Sequence, residues 1–208
     1  MFTRINERIR ANASLLDGAR RHFRLAVGKN AYPERTVSHF FIRALVEALS
    51  PDPQANTPAS GTGASALLEV AVVSGTSGRV DNHLDALVFN EDTAILAEFK
   101  RAWSPSHWKD LAADVRRVRG LVAQDIGARF LDHGTRQLIG FYGVDAWRQS
   151  VVDAWSSGQS HRNWNVPPEM AGMQRSAHVV WRDDSPDRTG KDYDGYYLLW
   201  AFEPLPPR

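Results

Sequence analysis

Three polar residues stand in two otherwise apolar segments, and their types are those that a metal-dependent hydrolase needs. Asp85 lies in residues 84–89 (LDALVF), and Glu98 and Lys100 lie in residues 94–100 (AILAEFK). Side chains alternate between the two faces of a strand, so Glu98 and Lys100 share a face if the second segment is a strand. Whether Asp85 joins them depends on how the two segments pair.

The connection between the two segments decides that pairing. Residues 90–93 (NEDT) are polar turn formers, which predicts a β-hairpin. A loop of two or four residues pairs Phe89 with Ala94, and counting outward then places Asp85 across from Glu98, with Cβ atoms about 5 Å apart. A loop of odd length would slip the register by one residue and turn Asp85 to the opposite face. The predicted site therefore depends on this turn.

Two carboxylates on an apolar hairpin are costly to bury unless a cation compensates them. Mg²⁺ prefers oxygen ligands and is typically held by one or two carboxylates, so Asp85 and Glu98 are candidate ligands, with Mn²⁺ as a substitute. The Phe99 carbonyl can add a third protein oxygen. Lys100 beside a metal-bound water can lower the pKa of that water, stabilise the hydroxide or offset charge on a pentavalent phosphorus. The chemistry implied is metal-assisted phosphodiester hydrolysis.

A plainer interpretation is that Glu98 and Lys100 form a cross-strand ion pair and that Asp85 only opens a strand. The neighbouring residues favour the metal site, because residues 95–97 and Phe99 are apolar on both faces of the strand. That pattern is typical of a central strand buried on both sides, where a surface ion pair is not expected.

Composition narrows the class of protein. The 208 residues suffice for one domain, with 43% hydrophobic and 24% charged residues as in ordinary globular proteins. The chain contains no cysteine, which excludes disulfides, thiolate metal sites and a cysteine nucleophile. A formal net charge of +1 provides no general attraction to nucleic acid, so such a partner requires a local basic patch. No signal-peptide pattern and no bilayer-length apolar run are present, so we expect a cytoplasmic protein without membrane contact.

Hydrophobic periodicity, proline positions and turn residues predict an α/β protein with a mixed central sheet flanked by helices. The predicted helices cover residues 6–27, 33–49, 104–122 and 146–155, and the predicted strands cover residues 67–74, 84–89, 94–100, 136–144, 177–182 and 196–202. Residues 161–174 are predicted to be irregular.

The order helix, strand, strand with aspartate, strand with Glu-x-Lys, helix, strand resembles the restriction-endonuclease-like superfamily, also called the PD-(D/E)XK nucleases. The resemblance covers about residues 33–144, an αβββαβ core, and leaves a helix at 6–27 and a C-terminal α+β extension at 145–208 within one domain spanning 1–208. Leu84 stands where the name-giving proline of that family would be.

The resemblance implies roles for individual residues. Asp85 and Glu98 would bind Mg²⁺, and Lys100 would assist the attacking water. Many members add a glutamate from the first core helix, for which Glu34 is the candidate and Glu47 the reserve. Glu34 also has a structural explanation, since the helix dipole favours a carboxylate in the first turn.

Three further polar residues lie near the predicted site. Asp81 and His83 precede Asp85 and alternate onto its face if the strand extends that far, either as supporting groups or as solvated residues of a strand edge. Glu69 of the preceding strand is either a further ligand or an edge charge.

Basic residues follow the Glu-x-Lys strand in the long predicted helix. Arg116, Arg117, Arg119 and Lys109 are candidates for contacts with the phosphate backbone, since in this family that helix borders the active site. The alternative is a solvated helix face.

The sequence therefore predicts a Mg²⁺-dependent nuclease acting on DNA, with RNA as the other substrate. The runner-up is a catalytically silent nuclease-like fold that serves as a protein-binding or immunity-type module. A chance Glu-x-Lys in a metal-independent structural domain is the third interpretation, and it requires Asp85 and Glu98 to lie far apart or on opposite faces of the sheet. Dimerisation is left open, because enzymes that cut both strands often present two sites.

Overall fold

The computed structural model describes residues 1–23, 32, 34–50, 63–73, 80–102, 104–121, 137–159, 161, 163–182 and 194–206. In this part of the chain there are four α-helices: α1 (Phe2–Phe23), α2 (Glu34–Leu49), α3 (His107–Leu121) and α4 (Gln149–Ser157). The strands are β1 (Ser65–Val73), β2 (Val80–Phe89), β3 (Thr93–Ala102), β4 (Gln137–Ala146), β5 (Gln174–Arg182) and β6 (Gly195–Pro204). A 3₁₀ turn spans Pro168–Met170.

The six strands form one sheet in the order β1-β2-β3-β4-β6-β5. The β3–β4 pair is parallel and the other neighbouring pairs are antiparallel. This confirms the predicted α/β class with a mixed sheet and helices on its faces. The C-terminal segment does not pack as a separate unit, because β6 pairs directly with β4 and β5 completes the same sheet.

Alternation along β3 assigns its side chains to the two layers. Ile95, Ala97 and Phe99 pack into the core beneath α1 and α2. Ala94 and Leu96 pack into the core beneath α3 and α4. Glu98 and Lys100 continue the second set, so the crossover that makes β3 and β4 parallel brings α3 over them. The prediction of a central strand buried on both faces is confirmed.

The observed boundaries differ from the predicted ones by a few residues. Helix α1 begins at Phe2 instead of residue 6, and the predicted residues 24–27 lie outside the described residues. Helix α3 begins at His107, because Pro105 and Ser106 form a turn in which His107 N–H donates to the Ser104 carbonyl over 3.1 Å. Strand β5 begins at Gln174, at the end of the predicted irregular segment.

Candidate functional site

The turn between β2 and β3 has the even-length geometry on which the predicted site depends. Phe89 pairs with Ala94, and pairing continues inward to Ala86 with Ala97. Asn90 closes the turn: its side-chain oxygen accepts hydrogen bonds from the Asp92 and Thr93 N–H groups over 3.0 and 2.9 Å. An asparagine carbonyl that bonds the backbone two residues ahead is a common device of tight turns. The predicted register is confirmed.

Asp85 lies one residue beyond the last paired position, at the level of Glu98. Its Oδ2 accepts a hydrogen bond from the Phe99 N–H over 2.7 Å, so the side chain reaches across to the backbone of β3. A carboxylate that accepts a backbone N–H is held in one orientation, because the bond to a charged acceptor is short and strong. Asp85 is half-buried. It therefore stands at the point where β2 and β3 separate, next to the Glu-x-Lys segment.

Glu98 is completely buried beneath α3. Its Oε1 lies 2.6 Å from Arg117 Nη2, and its Oε2 accepts no hydrogen bond from any residue that the structure describes. Burial, followed by the nearby charge of Asp85, raises the pKa of Glu98 from 4.5 to about 8, although Arg117 opposes the shift. Glu98 is thus a carboxylate whose ionised form has too little counter-charge.

Lys100 contacts the same helix. Its Nζ lies 2.9 Å from Asp114 Oδ2, and Arg117 Nη2 lies 2.8 Å from Asp114 Oδ1. Burial alone would lower the pKa of Lys100, but the hydrogen bond and charge of Asp114, with Asp85 and Glu98, outweigh it and raise the pKa. Lys100 is therefore a cation at neutral pH.

Five side chains make up this charge cluster: Asp85, Glu98, Lys100, Asp114 and Arg117. With every member ionised, it holds three carboxylates against two cations, an excess of one negative charge. A proton on Glu98, which its raised pKa favours at neutral pH, balances these charges, and a further cation would balance them with Glu98 ionised.

Sequence reasoning missed the roles of Asp114 and Arg117. Asp114 is buried, three residues after Leu111 and four before Val118, on the apolar stripe of α3. That position within the stripe is the signal that could have identified it. Arg117 lies three residues later and turns inward to Glu98 and Asp114 instead of outward to solvent.

The other predicted basic residues have partners of their own. Arg116 pairs with Glu169, and Arg119 pairs with Glu203 through contacts of 2.6–3.1 Å. Lys109 is exposed and borders a groove of about 500 Å³ between α3 and residues 163–169. The predicted phosphate contacts of these residues stay a prediction. Arg116, Arg117 and Arg119 are each ion-paired with a carboxylate of the same chain.

The two glutamates predicted on α2 have separate positions. Glu34 is the first residue of α2, and its side chain lies outside the described residues. Glu47 accepts hydrogen bonds from Asn12 and Arg43, both over 2.8 Å, and so ties α2 to α1. Burial would raise the pKa of Glu47, but these bonds outweigh it and lower the pKa. The reserve candidate Glu47 thus has a structural role.

The remaining predicted residues lie around Asp85. His83 is exposed, and the side chain of Asp81 lies outside the described residues. Glu69 falls between the pairs Leu68 with Ala86 and Val70 with Leu84, which puts it beside Asp85. Its φ of 49° is in the left-handed region that few residues other than glycine adopt.

Asp85 also borders a cleft of about 530 Å³ between α2 and the edge strand β1. The cleft is lined by Arg35, Ser38 and His39 of α2 and by Leu68 and Glu69 of β1, with Ile42 beneath. Asp85 thus connects the buried charge cluster with an open surface of the molecule.

The residues around Asp85 and Glu98 supply some of the ligands that a divalent cation such as Mg²⁺ requires. Among the described ranges, no three Asp, Glu or His side chains are arranged as a ready metal cage. Asp85 and Glu98 supply two carboxylates, and the unbonded Oε2 of Glu98 is a buried oxygen without a hydrogen-bond donor. A cation such as Mg²⁺, which keeps several waters, needs no more than two protein carboxylates. None of the helices that the structure describes is long and apolar enough to cross a membrane.

Comparison with known proteins provides no relative for this chain. A scan against protein-family models, a search of curated proteins and a search of solved structures each return no match.

Proposed function

We propose that this protein is a Mg²⁺-dependent nuclease that hydrolyses phosphodiester bonds of nucleic acid, DNA first and RNA as the alternative. The observation that carries the proposal is the pairing of β2 with β3 as far as Ala86 with Ala97, after which the Asp85 carboxylate accepts the Phe99 N–H, between Glu98 and Lys100. The order of elements supports it, since α2, β1, β2, β3, α3 and β4 follow the αβββαβ order of the restriction-endonuclease-like core.

Asp85 and Glu98 are the residues that would hold the metal, with the Phe99 carbonyl as a further oxygen. The bound metal would polarise a phosphate oxygen and make a water more acidic. Because its pKa is raised to about 8, Glu98 is mostly protonated at neutral pH. It would have to release this proton to become a metal ligand. Mn²⁺ has similar oxygen preferences and is expected to substitute.

Lys100 acts as a cation in this proposal. Asp114 keeps it protonated, so Lys100 does not remove a proton from water; it stabilises the negative charge that develops on hydroxide and on phosphorus. Asp114 orients the ammonium, and the geometry therefore favours one of the roles that the sequence left open.

Arg117 supplies the counter-charge of Glu98 when no metal is present. Its side chain is 29% exposed, so it has room to move toward solvent while Glu98 stays buried. Metal and guanidinium compete for the same carboxylate, because each neutralises it. Loss of Arg117 is therefore expected to strengthen metal binding.

Cleavage of labelled DNA and RNA tests the proposal. The wild type and the variants Lys100→Met and Glu98→Gln are compared in Mg²⁺ and Mn²⁺, with EDTA as the blank and Arg43→Gln as a surface control. We expect metal-dependent cutting that both cluster variants reduce at least about a hundredfold, since electrostatic groups at a reacting centre contribute on that scale. Cutting that persists in EDTA, or that survives both cluster substitutions, would disprove this assignment.

A second candidate function rests on a specific observation. Glu98 has no solvent exposure and contacts Arg117, and Lys100 is ion-paired with Asp114, so with a proton on Glu98 the cluster is compensated without a metal. Such a cluster suits a catalytically silent module that binds another protein. A folded wild type that binds no Mg²⁺ and cuts no nucleic acid would favour this candidate.

A further inference from the structure

The two sides of the charge cluster differ in access. On the side of α3, Arg117 and Asp114 lie against Glu98 and Lys100 at 2.6 and 2.9 Å, and Glu98 is fully buried. On the other side, half-buried Asp85 borders the cleft between α2 and β1. A substrate that has to meet Asp85 reaches it from this cleft without displacing a helix.

The wall of the cleft carries donors suited to phosphate. Arg35 and His39 are exposed and lie four residues apart on α2, hence on one face of the helix. A guanidinium binds phosphate through paired, charge-assisted hydrogen bonds, and an imidazole adds another donor. Neither side chain has a hydrogen bond or ion pair with another residue that the structure describes.

The opposite wall, on β1, carries one apolar side chain beside the carboxylate of Glu69. Leu68 of the edge strand β1 is 47% exposed, and Ile42 is buried at the base of the cleft. An exposed leucine at a cleft offers a surface for the flat face of a base or for a sugar. The cleft thus combines phosphate donors on α2 with an apolar contact from Leu68 on β1, which are the two kinds of contact that one nucleotide needs.

The size of the cleft indicates which form of nucleic acid it can hold. A volume of about 530 Å³ is in the class that encloses a single small ligand. One nucleotide unit belongs to that size class, so we expect an unpaired nucleotide to enter the cleft more easily than a base pair.

We propose that a single strand of nucleic acid enters the site through the cleft between α2 and β1, where Arg35 and His39 bind its phosphates and deliver one nucleotide to Asp85. This inference rests on the proposed nuclease function and adds to it the binding face and the class of substrate. Glu69 and Asp85 lie in the same cleft, and the divalent cation of the proposed function offsets their repulsion of phosphate.

Binding is measured separately from cutting. Fluorescence anisotropy follows a short fluorescein-labelled single-stranded oligonucleotide and a blunt hairpin duplex of the same sequence, with Ca²⁺ in place of Mg²⁺. The variants are Arg35→Gln, His39→Ala and the control Arg43→Gln, which removes an arginine from the same helix outside the cleft. All three residues are exposed, and circular dichroism verifies that the variants fold.

We expect the single strand to bind more tightly than the duplex. Arg35→Gln is expected to raise its Kd about tenfold, the usual worth of a hydrogen bond to a charged group, with a smaller rise for His39→Ala and none for Arg43→Gln. If the protein cuts, Arg35→Gln should raise KM and leave kcat nearly unchanged.

The outcomes separate this inference from the proposed function. Cutting with a Kd that neither cleft variant changes, or a loss that follows Lys109→Gln instead, overturns the inference and leaves the nuclease intact. Arg35-dependent binding without cutting keeps the cleft and overturns the enzyme. Tighter binding of the duplex overturns the single-strand assignment, and absence of binding to either oligonucleotide overturns the inference altogether.

Discussion

Arg117 of α3 lies 2.6 Å from Glu98 of β3, and the same guanidinium nitrogen lies 2.8 Å from Asp114. The buried glutamate of the Glu-x-Lys strand is therefore neutralised by a helix that follows it in sequence. This contact couples the stability of the fold to the protonation of Glu98 and, under the proposed function, to metal binding, because a proton and a metal ion each change the charge that faces Arg117.

Replacement of Arg117 by methionine is expected to destabilise the fold by about 3 kcal/mol, since it leaves a buried carboxylate without its partner. The cost should be largest above about pH 8, where Glu98 is ionised, and should shrink below that pH, where Glu98 is protonated. Mg²⁺ should recover part of the cost. Urea unfolding with and without Mg²⁺ measures both effects. The control is Arg116→Met, whose exposed pair with Glu169 is worth about 0–1 kcal/mol. Equal losses in the two variants would contradict a special role of the Arg117–Glu98 contact.

Glu98 makes stability depend on pH. Its pKa is about 8 in the folded protein and near 4.5 when unfolded, so between these values the folded state holds a proton that the unfolded state has lost. Stability from this group therefore falls as pH rises from about 4.5 to about 8, with a slope of at most about 1.4 kcal/mol per pH unit. Urea unfolding across this range should show a flatter profile for Glu98→Gln.

Glu47 provides the matched comparison for that experiment, because its pKa is lowered in the folded protein. Its contribution is present above pH 4.5 and is lost as pH falls through the lowered pKa. Glu47→Gln should therefore alter the acidic limb alone. A Glu98→Gln profile parallel to that of the wild type from pH 5 to 8 would show that Glu98 is ionised throughout.

Metal binding at Glu98 should release a proton. At pH 7 a carboxyl with a pKa of about 8 is mostly protonated, and it has to ionise to become a ligand. Titration calorimetry with Mg²⁺ in two buffers of different ionisation enthalpy is expected to give nearly one proton released per ion bound. Glu98→Gln should abolish both the binding and the release, and binding without proton release would place the metal elsewhere.

Asp114→Asn is expected to lower the pKa of Lys100. The hydrogen bond and charge of Asp114 raise that pKa against the effect of burial, so their loss lets burial dominate. The chain has four lysines, which makes the ¹³C-labelled Lys100 methylene signal easy to follow in an NMR pH titration. An unchanged Lys100 titration in Asp114→Asn would remove Asp114 from its positioning role.

Packing behind the Glu-x-Lys strand is tested by a pair of glycines. A Cβ at Gly143 of β4 would lie 2.8 Å from Phe99 and 2.9 Å from Phe41, so Gly143→Ala is expected to cost about 1–3 kcal/mol. Among the residues that the structure describes, none beyond the adjacent turns of the helix lies within 4 Å of a Cβ added at Gly120 of α3, and Gly120→Ala should add about 0.5–1 kcal/mol by helix propensity. Thermal unfolding of both variants measures these changes in stability. A Gly143→Ala variant as stable as the wild type would mean that Phe99 and Phe41 move aside at little cost.

The hairpin shows how much of the site was predictable. Asn90 sets the turn through its own side chain, and the alternation of apolar residues specifies which face each strand buries, so the register of Asp85 with Glu98 follows from local sequence. The central position of β3 was also readable, because residues 94–97 are apolar on both faces. These features depend on contacts between residues close in the chain.

The partners of Glu98 and Lys100 were not predictable in the same way. Arginine is a residue type typical of solvated helix positions, so the sequence does not predict that Arg117 is turned inward. It contacts Glu98 because the parallel crossover from β3 to β4 places α3 over that face of β3. The placement of β6 between β4 and β5, and of Asp85 beside the cleft of α2, likewise depends on packing between distant segments. Local hydrogen bonds and side-chain alternation determined the hairpin from sequence alone. The tertiary structure decided which charges neutralise Glu98, because a buried carboxylate requires a counter-charge that only a neighbouring element can supply.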